Sequence, residues 1–111
     1  MRGILTVPFD KNAMERFSYD KEERGDVITA CFSDKDYDAM WKTDFYRTVN
    51  AYLDIMIDYA ETEMVVGKEN LQKLYSIIVD YEDEIDNPLF DTLKCFTKFA
   101  IKFDTCIVFD Y

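Results

Sequence analysis

Between Asp36 and Val66 apolar residues recur every three or four positions: Trp41, Phe45, Val49, Tyr52, Met56 and Tyr59. That is the period of one helix face. Tyr46, Leu53, Ile57 and Met64 widen the face on one shoulder, so that it covers more than half of the circumference. What remains is a narrow polar strip of Asp36, Thr43, Arg47, Asn50, Asp54, Asp58 and Glu61. No Gly or Pro interrupts the stretch, and Gly67 follows where a helix C-cap glycine would sit. The spacing predicts one long central helix over 36–66, roughly 45 Å if unbroken. Phe45 and Met56 lie near the middle of its apolar face and are expected to be buried.

The flanking segments read more simply. Ile4, Leu5 and Val7 predict a short strand near 2–7, which Pro8 either ends or confines to a sheet edge. Residues 10–24 have two readings. Asn12 and Glu15 form a capping-box pattern ahead of Ala13, Met14 and Phe17, or the segment is one arm of a hairpin. The run DKEERGD, Asp20 to Asp26, is a charged turn about Gly25. VITACF, residues 27–32, is apolar and β-branched, as a buried strand would be. Ser33 or Asp34 then caps the central helix, with Asp36 and Asp38 in its first turn, where acids suit the dipole.

After Gly67, the positions Leu71, Leu74, Tyr75, Ile78, Glu82 and Ile85 predict a second amphipathic helix near 69–85, antiparallel to the first. Asn87 and Pro88 are a cap and first helical residue for a third, near 88–103. Lys94, Lys98 and Lys102, four apart, mark its exposed basic edge. TCIVFDY at the end of the sequence reads as a strand near 105–110. The expected fold is one domain over 1–111, of the α+β class and mostly helical. A three-helix core packs against a small antiparallel sheet. An all-α bundle is the alternative.

Charge changes the picture from scaffold to function. The chain has 23 acids against 13 bases, a net charge of −10. Affinity for nucleic acid and for anionic membranes comes mainly from Lys and Arg, so neither is expected to bind. A basic protein surface is the natural partner. Nine Phe, eight Tyr and one Trp are many for this length, and some Tyr are expected at the surface. The three cysteines, Cys31, Cys95 and Cys106, have no CxxC spacing and lie in apolar runs, which reads as inert packing in a reduced, cytoplasmic protein. No segment is apolar for the roughly 20 residues that a membrane span requires.

The chemistry of catalysis is thin. Histidine is absent, which removes the commonest general base and metal ligand. Ser18, Ser33 and Ser76 thus have no imidazole to activate them, and three scattered glycines cannot cradle a phosphate. DKDYD, Asp34 to Asp38, opens like a calcium loop. Ala39 and Phe45 then occupy the positions where Gly and Glu are required, and helix capping explains its acids better. Neither a cofactor nor a metal is expected.

Two acidic groups remain. Asp54, Asp58 and Glu61 share one side of the expected central helix and are the more rigid of two candidate partner-binding surfaces, although exposed carboxylates there are in most proteins no more than a solvated face. Asp80, Glu82, Asp83, Glu84 and Asp86 form the densest run. It lies at a helix C-terminus, where acids oppose the dipole, and a locally unfavourable choice points to another use. Docking to a basic partner fits, with Tyr75 and Tyr81 as aromatic anchors. In size and charge the chain resembles bacterial toxin-immunity proteins and phage-encoded inhibitors of restriction or CRISPR nucleases. The resemblance implies a non-enzymatic inhibitor whose carboxylates cover the phosphate site of a nuclease or other nucleic-acid-handling protein. A structural or adaptor subunit, homodimeric through surplus Tyr and Phe, is the alternative; an enzyme using carboxylates alone ranks behind both.

Overall fold

The computed structural model describes residues 3–58 and 60–111. Among them the order is β1 (Ile4–Pro8), α1 (Lys11–Ser18), β2 (Val27–Cys31), α2 (Asp34–Trp41), α3 (Phe45–Leu53), β3 (Thr62–Val66), α4 (Lys68–Tyr81), α5 (Pro88–Phe103) and β4 (Cys106–Asp110). The α+β class, mostly helical with an antiparallel sheet, is as expected. Strand order is β2-β1-β4-β3, antiparallel throughout.

The single central helix is not there. The 36–66 stretch divides into α2, α3, a connection and β3; with α1 added, the described residues hold five helices where three were expected. The first break is at Lys42–Asp44. Thr43 Oγ1 donates to the Met40 carbonyl at 2.7 Å and accepts from the Phe45 amide at 3.2 Å. A threonine hydroxyl that bonds the backbone on both sides competes with the helix ladder. The bend lets Tyr37 and Met40 of α2 and Phe45, Tyr46 and Val49 of α3 all reach one core.

The second break is at Asp54, in the left-handed region with φ 54°. There Asn50 takes over as a template. Its amide donates to the Ile57 carbonyl at 3.0 Å and accepts from the Ile57 amide at 2.8 Å, as a strand neighbour would. The Glu63 carboxylate accepts from the Met56 and Met64 amides. Met56, expected in the core, is therefore 66% exposed, and Tyr52 is 61% exposed, while Phe45 is fully buried. Tyr59 and the expected strand start at Arg2 lie outside the described residues.

β3 exists because β4 needs it. Cys106, Ile107, Val108 and Phe109 are all buried. The β4 backbone pairs with β1 through Ile4–Thr6 on one side and with β3 through Thr62–Val66 on the other. Gly67, with φ 93°, is the N-cap of α4 rather than a helix C-cap. Pro8 ends β1, which is an inner strand; its ring falls beyond the β4 ladder. The core is completed by Leu71, Leu74 and Ile78 of α4 and by Leu89, Phe90, Leu93, Phe96 and Ala100 of α5.

Residues 10–24 are helical at first, capped by Asp10, whose carboxylate accepts from the Ala13 amide at 2.7 Å, and not by Asn12. The turn after α1 is held by Asp26. Its carboxylate takes both Arg16 guanidinium bonds at 2.7 Å and the Glu23 amide at 2.7 Å. Tyrosines divide as their hydroxyls require. Tyr19 and Tyr52 are exposed, while the Tyr46 and Tyr111 hydroxyls share a buried hydrogen bond of 2.5 Å. Burial holds both phenols well above their ordinary pKa. Cys31 and Cys95 are exposed thiols, contrary to the packing expected of them, and only Cys106 is buried, its pKa pushed up to about 11 by burial.

Phe45→Ala should destabilise by about 3–5 kcal/mol, as truncation of a buried Phe does. Met56→Ala should stay within about 0.5 kcal/mol of the parent, being a surface change. Urea unfolding of both variants checks this; equal losses would restore the unbroken helix.

Acid should release the Asp26 staple. The Arg16 guanidinium and then the Glu23 amide hold its carboxyl down to about 2, against an ordinary 3.8. The unfolded chain thus takes up the proton first. The stabilisation is complete above 3.8 and is lost as pH falls through about 2. The stability gap between the parent and Asp26→Asn should close over that window in urea titrations; a gap constant with pH would show that the pair contributes nothing through its charge.

Candidate partner-binding surface

The densest acidic run occupies the end of α4 and the turn into α5. Asp80 and Tyr81 close α4, Glu82 is its C-cap, Asp83, Glu84 and Asp86 lie in the turn, and Asn87 caps α5. All five carboxylates are exposed. The fold supplies what the helix end lacks. Lys94, nearly two turns into α5, pairs with Glu82, which raises the lysine pKa through the hydrogen bond and the charge. The α5 N-terminus, positive by its own dipole, begins two residues after Asp86 and carries Asp91 in its first turn.

A second acidic segment is brought alongside. Asn87 is buried, and its amide does two jobs. Its oxygen accepts from the Leu89 amide at 2.8 Å, and its nitrogen donates to the Asp36 carbonyl at 3.1 Å. This bond fixes the first turn of α2, with Asp34 and Asp36, against the start of α5, and Asp38 follows in the next turn. Further along, Lys42, Thr43 and Asp44 line a shallow cleft together with Tyr81, Glu84 and Ile85. Segments 34–44 and 80–91 therefore lie side by side. Together they hold ten acids and two lysines, a net −8 of the chain's −10. The other 88 residues, with 13 acids and 11 bases, are close to neutral.

This surface rests on rigid elements. Phe45 is fully buried where α3, α4 and α5 meet, edge-on to Tyr81 at 5.5 Å and to Phe90 at 5.4 Å. Tyr81 is half-buried and shares a hydrogen bond with Thr48 at 2.7 Å. Tyr75 is half-buried under Lys98, whose ammonium stands 5.8 Å from the ring centroid. Asp54, Asp58 and Glu61 are exposed, but not on a helix side: Asp54 caps α3, and the other two lie in the connection to β3. They are at the opposite end of α3 from Asp44, about 13 Å along the helix, and the fold does not bring them into the acidic pair of segments.

The chain shares its fold with the Neisseria DNA mimic protein DMP12. That solved structure matches with a TM-score of 0.63 over 98% of this chain and 99% of its own, at 14% sequence identity. No family model and no curated protein sequence matches the chain. The likeness to DMP12 is therefore one of backbone, carried end to end with few shared residues.

Among the described residues no three His, Cys, Asp or Glu side chains are grouped as a metal site, and no helix is long and apolar enough to cross a membrane. The 80–86 run is legible in the sequence, whereas Asp34, Asp36 and Asp38 read there only as the acids of a capped helix start. Ser33 does cap α2, accepting from the Asp36 amide. The acids after it also stand beside the 80–91 segment, a placement made by the Asn87 bond. A tally of net charge by segment marks both stretches as acidic, but not that they are neighbours.

Asn87→Ala removes the α5 cap and the link to Asp36 together. It should cost roughly 1–2 kcal/mol, the range for cap removal, and should speed amide exchange in α2 as well as α5. Exchange that quickens in α5 alone would mean that the link to α2 carries no stability.

Proposed function

We propose that this protein is a DNA mimic: a non-enzymatic, acidic inhibitor that occupies the nucleic-acid-binding surface of a basic DNA-handling protein. The observation that carries the reading is the segregation of charge. Nearly all of the net charge sits on two adjacent helical segments, on the fold of a protein described as a DNA mimic. DNA presents phosphates at fixed spacing, and most of its affinity for proteins comes from neutralising them. Carboxylates fixed on helix ends by Asn87 and Phe45 offer the same charge with little ordering cost on binding. Asp80, Glu82, Asp83, Glu84 and Asp86 form the centre of the surface, with Asp34, Asp36 and Asp38 beside them. Tyr75 and Tyr81 lend the surface rigidity. Asp54, Asp58 and Glu61 form a separate, weaker contact.

A nuclease is the partner that fits best, as for a toxin-immunity protein or a phage inhibitor of restriction or CRISPR systems. Like charge keeps the chain itself off nucleic acid. A structural or adaptor role through self-association draws support from the exposed Phe9, Tyr52, Met56 and Phe99.

The test is competition. DNA-binding proteins from the host, retained on the immobilised chain, are offered a fluorescent duplex with and without free chain. The chain should displace the duplex, with affinity falling as salt rises. Glu82 is engaged with Lys94, so charge reversal belongs at its neighbours. Asp83→Lys with Glu84→Lys should slow association by on the order of tenfold or more at low salt and leave melting unchanged. Asp54→Lys with Asp58→Lys should do less. A retained protein that binds duplex equally well under saturating chain would rule out mimicry.

A further inference from the structure

The outer face of the α4–α5 hairpin has an order of charge that the mimic reading does not use. Along α4, Gln72, Tyr75 and Val79 succeed one another at steps of three and four residues, and Asp83 lies in the turn just past the helix end. Along α5, Asp91, Lys94, Lys98 and Lys102 follow at steps of three, four and four. Such steps keep residues on one line of a helix. The helices run antiparallel, and two contacts fix their register: Lys98 stands over the Tyr75 ring, and Lys94 pairs with Glu82. The face therefore begins with Lys98 and Lys102, which line a groove of about 310 Å³ with Gln72, Tyr75 and Ile101. It passes Val79, which is 45% exposed, and the neutralised Glu82–Lys94 pair. It ends at Asp91, exposed in the first turn of α5, with the exposed Asp83 next to Glu82 in the turn between the helices.

A face that is basic in one half, apolar in the middle and acidic in the other half is complementary to itself turned by 180°. We infer that a second copy of this chain docks on it, the two α4–α5 hairpins antiparallel about a two-fold axis near Val79. Lys98 and Lys102 of each copy then meet Asp83 and Asp91 of the other, and the two Val79 side chains pack together. A two-fold contact closes, using every charge of the face twice. Helices of 14 and 16 residues span about 21–24 Å, so the area falls below the roughly 800 Å² per partner of a standard interface. The dimer is accordingly weak and sensitive to salt. It covers Asp83, so a second copy and a basic partner compete for the acidic end.

The inference does not rest on DNA mimicry, and its test uses the chain alone. Sedimentation equilibrium should show the mass rising from 13.2 kDa toward twice that with concentration at low salt. Well above the ~0.1 M salt at which the screening length falls to about 10 Å, it should return to monomer. Lys98→Glu with Lys102→Glu should be monomeric, and so should Asp83→Lys with Asp91→Lys, each with the circular dichroism of the parent. Mixing the two should restore a closed one-to-one dimer, because each variant then carries what the other needs. A parent that stays monomeric at low salt and millimolar concentration would overturn the proposal. So would a dimer indifferent to salt and to both charge swaps, or a mixture that grows into open chains.

Discussion

The arrangement depends on the burial of β4. Four consecutive residues, Cys106 to Phe109, are out of contact with water, so backbone groups along the strand have to be paired within the protein. β1 supplies one side of the ladder and β3 the other. Residues 62–66 are therefore strand, whatever their local preference, and the chain has to leave its helix well before Thr62. The bond pairs of Asn50 and Glu63 make that departure orderly. The bend at Thr43 follows from the same economy of space, since α2 and α3 must both bury aromatic faces in one core. Tyr111, packed edge-on against Tyr37, Tyr46 and Phe109, closes that core directly after β4.

Charge is distributed by the fold. Helices α2 and α5 start side by side, joined by Asn87, and their positive N-terminal ends sit beneath the two acidic segments. Acids that oppose the dipole of α4 thereby gain two favourable dipoles and one lysine. This is how a chain of net −10 concentrates its charge without loosening the body, which is nearly neutral. The acidic end is held on packed helices, and the backbone that presents it is the one shared with a DNA mimic protein at only 14% identity. Mimicry of a polyanion asks for carboxylates on a stiff support, and many sequences satisfy that demand.

The same hairpin that carries the acidic end carries lysines at its other end. The proposed partner contact and the proposed self-association thus draw on overlapping residues, Asp83 above all. Under the two proposals mass action would decide between them: a tight basic partner would displace a weak second copy.

Local signals were enough for several parts of the chain. Asn87–Pro88 marked the start of α5, the rhythm of Leu71, Leu74 and Ile78 marked α4, and β-branched runs marked β2 and β4, because caps, periodicity and strand propensity act over a few residues. The acidic run at 80–86 was equally plain, being contiguous. The 36–66 stretch reads as one helix because Trp41, Phe45 and Val49 set a true helical period that Tyr52 and Met56 continue into solvent. Nothing local distinguishes a residue that continues the period from one that is buried. That Thr62–Val66 is a strand was decided by β4, some forty residues on, through hydrogen bonds only the folded chain can make. Likewise Asp34–Asp38 is by itself a capped helix start; it becomes half of an acidic surface because Asn87, 51 residues after Asp36, holds it there. Sequence alone determined the class of fold, the main helices and the sign of the charge, and tertiary hydrogen bonding decided which charges stand together.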